Sequence, residues 1–345
     1  MKRTIYFDCL RILATIAVVI LHVAAQNWYV TNIHSYEWNV MNIYDSLVRW
    51  GVPIFVMISG ALFLEREVDI KRLYTHNIFK IVLTFIIWTT IYAVGQSLYK
   101  GFEWKTFIKW LIGGHYHMWF LFMIVGLYMM VPFLKKIVES ESLTRYFLGL
   151  GFVAIFIIKY CADVLELLGI TLGKLANTWL ANFELHMVTG YVLYFVGGYY
   201  LSKIELNKKL RVTIYISGVI GFVSTIFLTK WLCDTLDRHV SYFYTNFTLN
   251  VFLESVAVFV FIKQLMTKIR LREHIEKCIS KISGCCFTAY LVHVLVIEIL
   301  RFVVGLDTMT FDPLLSVPII SLIVLVISFA FAALVKLFLA QKKAK

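Results

Sequence analysis

The chain has 345 residues, of which 60% are hydrophobic and 16% charged, and a formal net charge of +12. Soluble globular proteins carry about 25% charged residues, so composition excludes that class and points to a chain that crosses a membrane repeatedly. The positive excess sits in short connections between apolar runs, the pattern of a cytoplasmic membrane face, which argues against nucleic acid as a partner.

Apolar runs close to the length that crosses a bilayer occur at 6–28, 42–64, 78–99, 117–134, 146–168, 185–202, 212–232, 246–267, 285–303 and 314–338. They predict an all-α polytopic bundle of about ten transmembrane helices. The first run ends in WYV, with no small-residue cleavage site, and is read as a retained helix. Segments at one face hold 21 Lys and Arg, whereas the other face holds only Lys100, Lys105, Lys109, Lys174, Lys230 and Arg238. Both termini are therefore expected in the cytoplasm. Cys9, Cys161, Cys233, Cys278, Cys285 and Cys286 show no CxxC or His-rich spacing, so free thiols and no metal are expected. No linker or clear repeat divides the chain, and 1–345 reads as a single membrane domain.

Function is sought in the polar residues inside these runs, because a charge at mid-bilayer costs about 2.5 to 3.5 kcal/mol and usually faces a cavity or bundle interior. The first run, FDCLRILATIAVVILH, carries Arg11 and His22. Their spacing is close to three turns at about 3.6 residues each, so they share a face. With entry near Tyr6, Arg11 lies roughly 7 Å inside the cytoplasmic edge and His22 roughly 24 Å. Arg11 either snorkels and pairs with Asp8 or lines a cavity; His22 either packs with a hydrogen-bond partner or lines the same cavity.

Residues on other runs fall at matching depths. An outer group is expected from His22, Asp45, Arg49, His117 and Glu254, with His115 and Trp119 near the outer mouth. An inner group is expected from Arg11, Ser59, Lys80 and His293, while Glu298 and Arg301 lie farther out on the run that carries His293.

These residues also sit in motifs resembling the integral membrane acyltransferases of acyltransferase family 3, in particular the short surface-polysaccharide O-acyltransferase type. FDCLRILATIAVVILH is similar to its Asp-x-x-Arg start with Arg-x10-His, placing Asp8, Arg11 and His22 on the motif positions. GVPIFVMISGALF (51–63) resembles a Val-Pro-Leu-Phe-Phe-Met-Ile-Ser-Gly segment. KRLYTHNIFKIVLTFIIWTTIY (71–92) resembles a basic stretch leading into a helix, with Lys80 in place of the usual arginine and Thr84 in place of proline. HMWFLFMIVGLYMMVPFL (117–134), VLYFVGGYYLS (192–202) and CCFTAYLVHVLVIEIL (285–300) follow in family order, the last with His293 on the histidine position and Cys286 where serine is common.

The resemblance implies transfer of an acyl group, most often acetyl from cytoplasmic acetyl-CoA, to a hydroxyl of a surface or envelope carbohydrate, free or lipid-linked, by a multi-pass protein of the inner or plasma membrane. His22 and Arg11 would then be catalytic, and Arg11, Ser59, Lys80 and His293 would meet the donor. Asp45, Arg49, His117, Trp119 and Glu254 would meet the acceptor or orient His22, with Lys71 and Arg72 adding to the anion site and Asp8 as a structural pair. Acyl transfer is either direct or passes through an acyl-histidine. The alternative from another class is a secondary transporter or exporter of a polar or glycan substrate, with Arg11 and His22 as substrate and proton sites.

Overall fold

A computed structural model of the protein describes residues 4–67 and 69–344, with the side chains of 342–344 left aside. The basic residues expected at the cytoplasmic face as Lys2, Arg3 and Lys345, and the side chains of Lys342 and Lys343, lie outside the described residues. All regular structure among the described residues is helical. In chain order the helices are α1 (Ile5–Ala24), α2 (Tyr36–Ser46), α3 (Gly51–Glu65), α4 (Ile70–Lys100), α5 (Trp104–Gly113), α6 (Trp119–Val138) and α7 (Glu141–Leu167). They continue as α8 (Thr171–Asn182), α9 (Tyr191–Lys203), α10 (Lys208–Leu236), α11 (Leu249–Lys268), α12 (Glu273–Ser283), α13 (Cys286–Val304) and α14 (Pro313–Ala344). Side-chain oxygens of Ser35, Ser140 and Asn207 accept backbone N–H bonds from Trp38, Leu143 and Leu210, starting α2, α7 and α10 at polar caps.

Nine helical stretches among the described residues are long and apolar enough to cross a membrane. The span expected at 185–202 is the difference. Its helix, α9, has 13 residues, about 20 Å, against a hydrocarbon core of about 30 Å. α8 folds back along α7, where Asn177 Nδ2 donates to Asp163 at 2.9 Å and Glu166 at 2.7 Å. α9 then ends at Lys203, paired with Glu65 at 2.5 Å. The chain thus returns across the bundle in two pieces rather than one helix.

Both described ends of the chain lie at one end of the bundle. There α1 meets α12 through Asp8, Ser280 and Ser283, and a Cβ on Gly284 would sit 2.6 Å from Lys336 Nζ of α14. Lys135 of α6 donates to the carbonyls of Leu64 and Arg66 at the same level, at 2.7 and 3.0 Å. At the opposite end Asn27 bonds Thr308 and Arg301, and Trp28 packs on Trp38 and Tyr244.

The core forms where α1, α3, α6, α9 and α11 meet, around Leu10, Ile54, Met57, Leu134, Phe195 and Phe259. Its tightest crossing is α3 on α9. A Cβ on Gly60 would lie 1.8 Å from the Phe195 carbonyl oxygen, and one on Gly198 would lie 2.2 Å from that of Met57. Lipid supplies no hydrophobic drive between membrane helices, so such backbone contact through small residues is how they gain packing energy. α3 is thereby set firmly against the bundle, and it carries Phe55 and Ser59 to the site.

Candidate active site

Two cavities stack along α1, where its shared-face pair was expected to line a single one: Arg11 lines the first and His22 the second. The larger, of about 400 Å³, is lined by Arg11, Ser59, Arg66, His76, Lys80 and Tyr128, with Cys286 and Phe287 from α13. No carboxylate is among its lining residues, and three cations face it, of which Arg11 is paired at the mouth with Asp8; the excess of positive charge suits a phosphate-rich ligand. Both readings of Arg11 hold together. Its Nη1 lies 3.3 Å from Asp8 Oδ1 and donates to Ser283 Oγ at 2.9 Å, while Asp8 also accepts from Ser283 at 2.6 Å and Ser280 at 3.1 Å. Asp8 therefore ties both the guanidinium and α12 to the mouth of this cavity.

Lys80 reaches it as expected. The helix passes through Thr84, whose hydroxyl donates to the Lys80 carbonyl at 2.7 Å, so the missing proline leaves α4 unbroken. A π-helical turn over Leu73–Ile78 shifts the facing of the side chains, and His76 with Asn77 lines the cavity. Lys71 and Arg72 instead lie exposed at the start of α4, their amides bonded to Asp69.

The smaller cavity, of about 150 Å³, is lined by His22, Arg49, His117, Trp119, Tyr244 and Asn246. Arg49 stacks over the Tyr244 ring at 3.9 Å and pairs with buried Asp45 one turn earlier. The Trp119 and Tyr191 rings lie 5.6 Å apart, leaving an aromatic edge of the kind that stacks on apolar sugar faces.

Beside this cavity four histidines converge. The His22 and His293 ring centroids are 5.1 Å apart, and those of His117 and His293 5.5 Å. His115 Nδ1 lies 3.1 Å from His117 Nδ1, and His115 Nε2 lies 3.0 Å from Glu298 Oε1, which also accepts from Gln96 at 2.9 Å. Tyr92 stacks on His115 at 4.5 Å and fixes its plane. His117 Nε2 and His293 Nε2 are buried without a hydrogen-bond partner among the described residues; His117 lines the smaller cavity, and His293 lies behind it against His117 and His22. Among the described residues no group of three or more His, Cys, Asp and Glu is arranged to hold a metal ion.

Three expected placements are corrected. His293 does not line the larger cavity. It lies about 10 Å further along α13 than Cys286, at about 1.5 Å per residue, and so reaches the histidine group; its Nδ1 bonds the Tyr290 carbonyl at 2.5 Å. Glu254 is buried between α10 and α11, bonded to Thr225, which also accepts from Asn250 at 2.8 Å. Asp45 turns to Arg49, and among the described residues neither carboxylate bonds His22. The carboxylate of the site is Glu298, five positions after His293. An acidic residue inside an apolar run is itself a functional signal, and with the HYH triplet at 115–117 it was the available clue.

A family model described as an acyltransferase domain matches residues 4–333. The chain belongs to acyltransferase family 3. It is a multi-pass membrane acyltransferase, and the motif positions Asp8, Arg11 and His22 of this acyltransferase fall on the helix that joins the two cavities. Searches of curated proteins and of solved structures found no match.

Proposed function

We propose that the protein is an O-acyltransferase, in the first place an O-acetyltransferase, that takes its acyl group from acyl-CoA at the cytoplasmic face and passes it to a hydroxyl of a surface or envelope carbohydrate. The observation that carries this reading is the division of α1: Arg11 stands in a cationic cavity at the end of the bundle where both described chain ends lie, and His22 stands in a separate cavity deeper in. The basic connections at that end support its assignment to the cytoplasm, in an inner or plasma membrane. Membership of an acyltransferase family favours this enzyme over the transporter alternative.

In this reading Arg11, Arg66 and Lys80 bind the phosphates of CoA, with Ser59 and His76 beside them. The thioester end extends toward His22. His22 takes the proton of the carbohydrate hydroxyl as that oxygen attacks the thioester carbonyl, and general base assistance of this kind contributes about 10²- to 10⁴-fold. The C–S bond breaks, the C–O bond forms, and the proton ends on the CoA sulfur. Arg49 is the cation nearest at hand for the oxyanion. His117 binds the acceptor's remaining polar groups, His293 packs behind it and His22, and His115 with Glu298 holds His117 in one tautomer.

The test is mass spectrometry of surface glycans from cells with and without the protein, combined with membranes supplied with acetyl-CoA carrying an isotopic label in the acetyl group. Label in a glycan ester that depends on the protein supports the reading. Uptake or export of a glycan without acyl chemistry overturns it.

A further inference from the structure

The two cavities share part of their walls. Phe120 and Tyr290 line both of them, and Phe55 lines the larger beside them. The three rings come from α3, α6 and α13, with centroids 5.5 Å apart for Phe120 and Tyr290, 6.0 Å for Phe55 and Phe120, and 6.4 Å for Phe55 and Tyr290. They close into an aromatic partition between the cationic cavity and the histidine group.

Tyr290 ties this partition to the chemistry. Its phenol donates to the His117 carbonyl at 2.5 Å, and its own carbonyl bonds His293 Nδ1 at 2.5 Å. Displacing the Tyr290 ring therefore disturbs the segment bearing His117, while the peptide at the base of the same residue orients His293. Phe55 and Phe120 are only half-buried and carry no polar group, so packing alone holds these two rings in place.

Arg11 and His22 are separated by about 16 Å along α1, at about 1.5 Å per residue. A donor whose phosphates rest among Arg11, Arg66 and Lys80 reaches His22 only by passing its thioester end through the ring of Phe55, Phe120 and Tyr290. A wall of apolar rings admits an acyl chain and rejects a phosphate, so the charged part of the donor stays behind. The space beyond, about 150 Å³, must also hold the attacking hydroxyl.

We propose that Phe55, Phe120 and Tyr290 form an aromatic gate whose rings wall the small space beyond it and so set the length of acyl group this enzyme transfers, favouring acetyl over chains two or more methylenes longer. The proposal rests on the acyl-CoA reading above and adds the residues that choose among acyl donors. A single methylene in an apolar pocket is discriminated by about 10- to 200-fold, so butyryl is disfavoured against acetyl by at least about tenfold.

The experiment supplies acetyl-CoA, propionyl-CoA and butyryl-CoA separately to membranes that contain the full-length protein and the cell's own glycans, and measures glycan esters and released CoA thiol. Phe120→Ala and Phe55→Ala are expected to raise the butyryl-to-acetyl ratio by at least about tenfold. Tyr290→Phe keeps the ring and its packing but loses the bond to His117, and it shifts the ratio in the same direction even if the alanine variants fail to fold. A ratio equal to wild type in every variant that still transfers acetyl overturns the gate. A wild-type protein that transfers no acyl group from any of the three esters overturns the donor assignment itself, and the two results are distinct.

Discussion

The α3–α9 crossing provides the sharpest test of how packing holds the site. Gly60→Ala adds one methyl whose carbon would stand 1.8 Å from the Phe195 carbonyl oxygen. Side-chain carbons do not approach closer than 3.0 Å, so the helices must part locally by about 1.2 Å. The obstacle is backbone, which cannot turn aside as a flexible side chain would. Overpacking of this kind costs about 1 to 3 kcal/mol. The same displacement moves Ser59 and Phe55, which line the donor cavity, and a misplacement of about 1 Å lowers turnover by about 100-fold. Gly95→Ala, with nothing within 4 Å of the added carbon, is the matched control: it leaves activity unchanged and gains up to about 1 kcal/mol of helix propensity. Both variants are compared by thermal unfolding of the solubilised protein, followed through tryptophan fluorescence, and by glycan acylation in membranes. A Gly60→Ala protein as stable and active as Gly95→Ala would refute the claim that backbone contact between α3 and α9 positions the site.

Three further outcomes follow from the placement of single side chains. His22→Ala and Arg11→Ala each abolish glycan O-acylation in protein that still reaches the membrane, and Arg11→Ala weakens acyl-CoA binding more than His22→Ala does; equal binding losses, measured by titration, would remove the division between the cavities. Glu298→Gln takes the anion from beside His115, and acylation falls by about 10- to 100-fold, less than the up to about 10⁴-fold attributed to a base; Glu298→Asp recovers part of it, whereas wild-type rates in Glu298→Gln would detach Glu298 from the site. Glu254→Gln keeps an acceptor for Thr225 and retains acylation within about threefold of wild type, a neutral isostere preserving most of a buried hydrogen bond; a loss as deep as that of His22→Ala would return Glu254 to the catalytic group.

Some of this architecture was legible because it is local. The apolar runs mark where helices cross, since chain length and bilayer thickness alone set that requirement. The spacing of Arg11 and His22 places them on one face at two depths by helix geometry with no reference to any neighbour, and both line cavities. Asp8, three positions before Arg11, was paired on the same ground. Ser59 and Lys80 line the larger cavity and Arg49, His117 and Trp119 the smaller, at the levels counted for them, because depth in the membrane is counted along each helix separately.

Depth is only one coordinate of three. The rotation of a helix about its axis and the identity of its neighbours are set by packing between distant segments, and an error of two or three residues in a boundary shifts depth by about 3 to 5 Å. Glu254 was assigned a suitable depth but faces Thr225 of α10 rather than His22. His293 was counted into the inner group, and the position of α13 carries it to His22 and His117. The link from His117 through His115 to Glu298 joins the connection between α5 and α6 to α13, His115 and Glu298 lying 183 positions apart in sequence, and the gate joins three helices. The sequence by itself determined a polytopic helical acyltransferase with its arginine and histidine at two levels of one helix. Only the tertiary structure decided which carboxylate serves the histidines and what stands between the cavities, because both depend on how separate helices rotate and interlock.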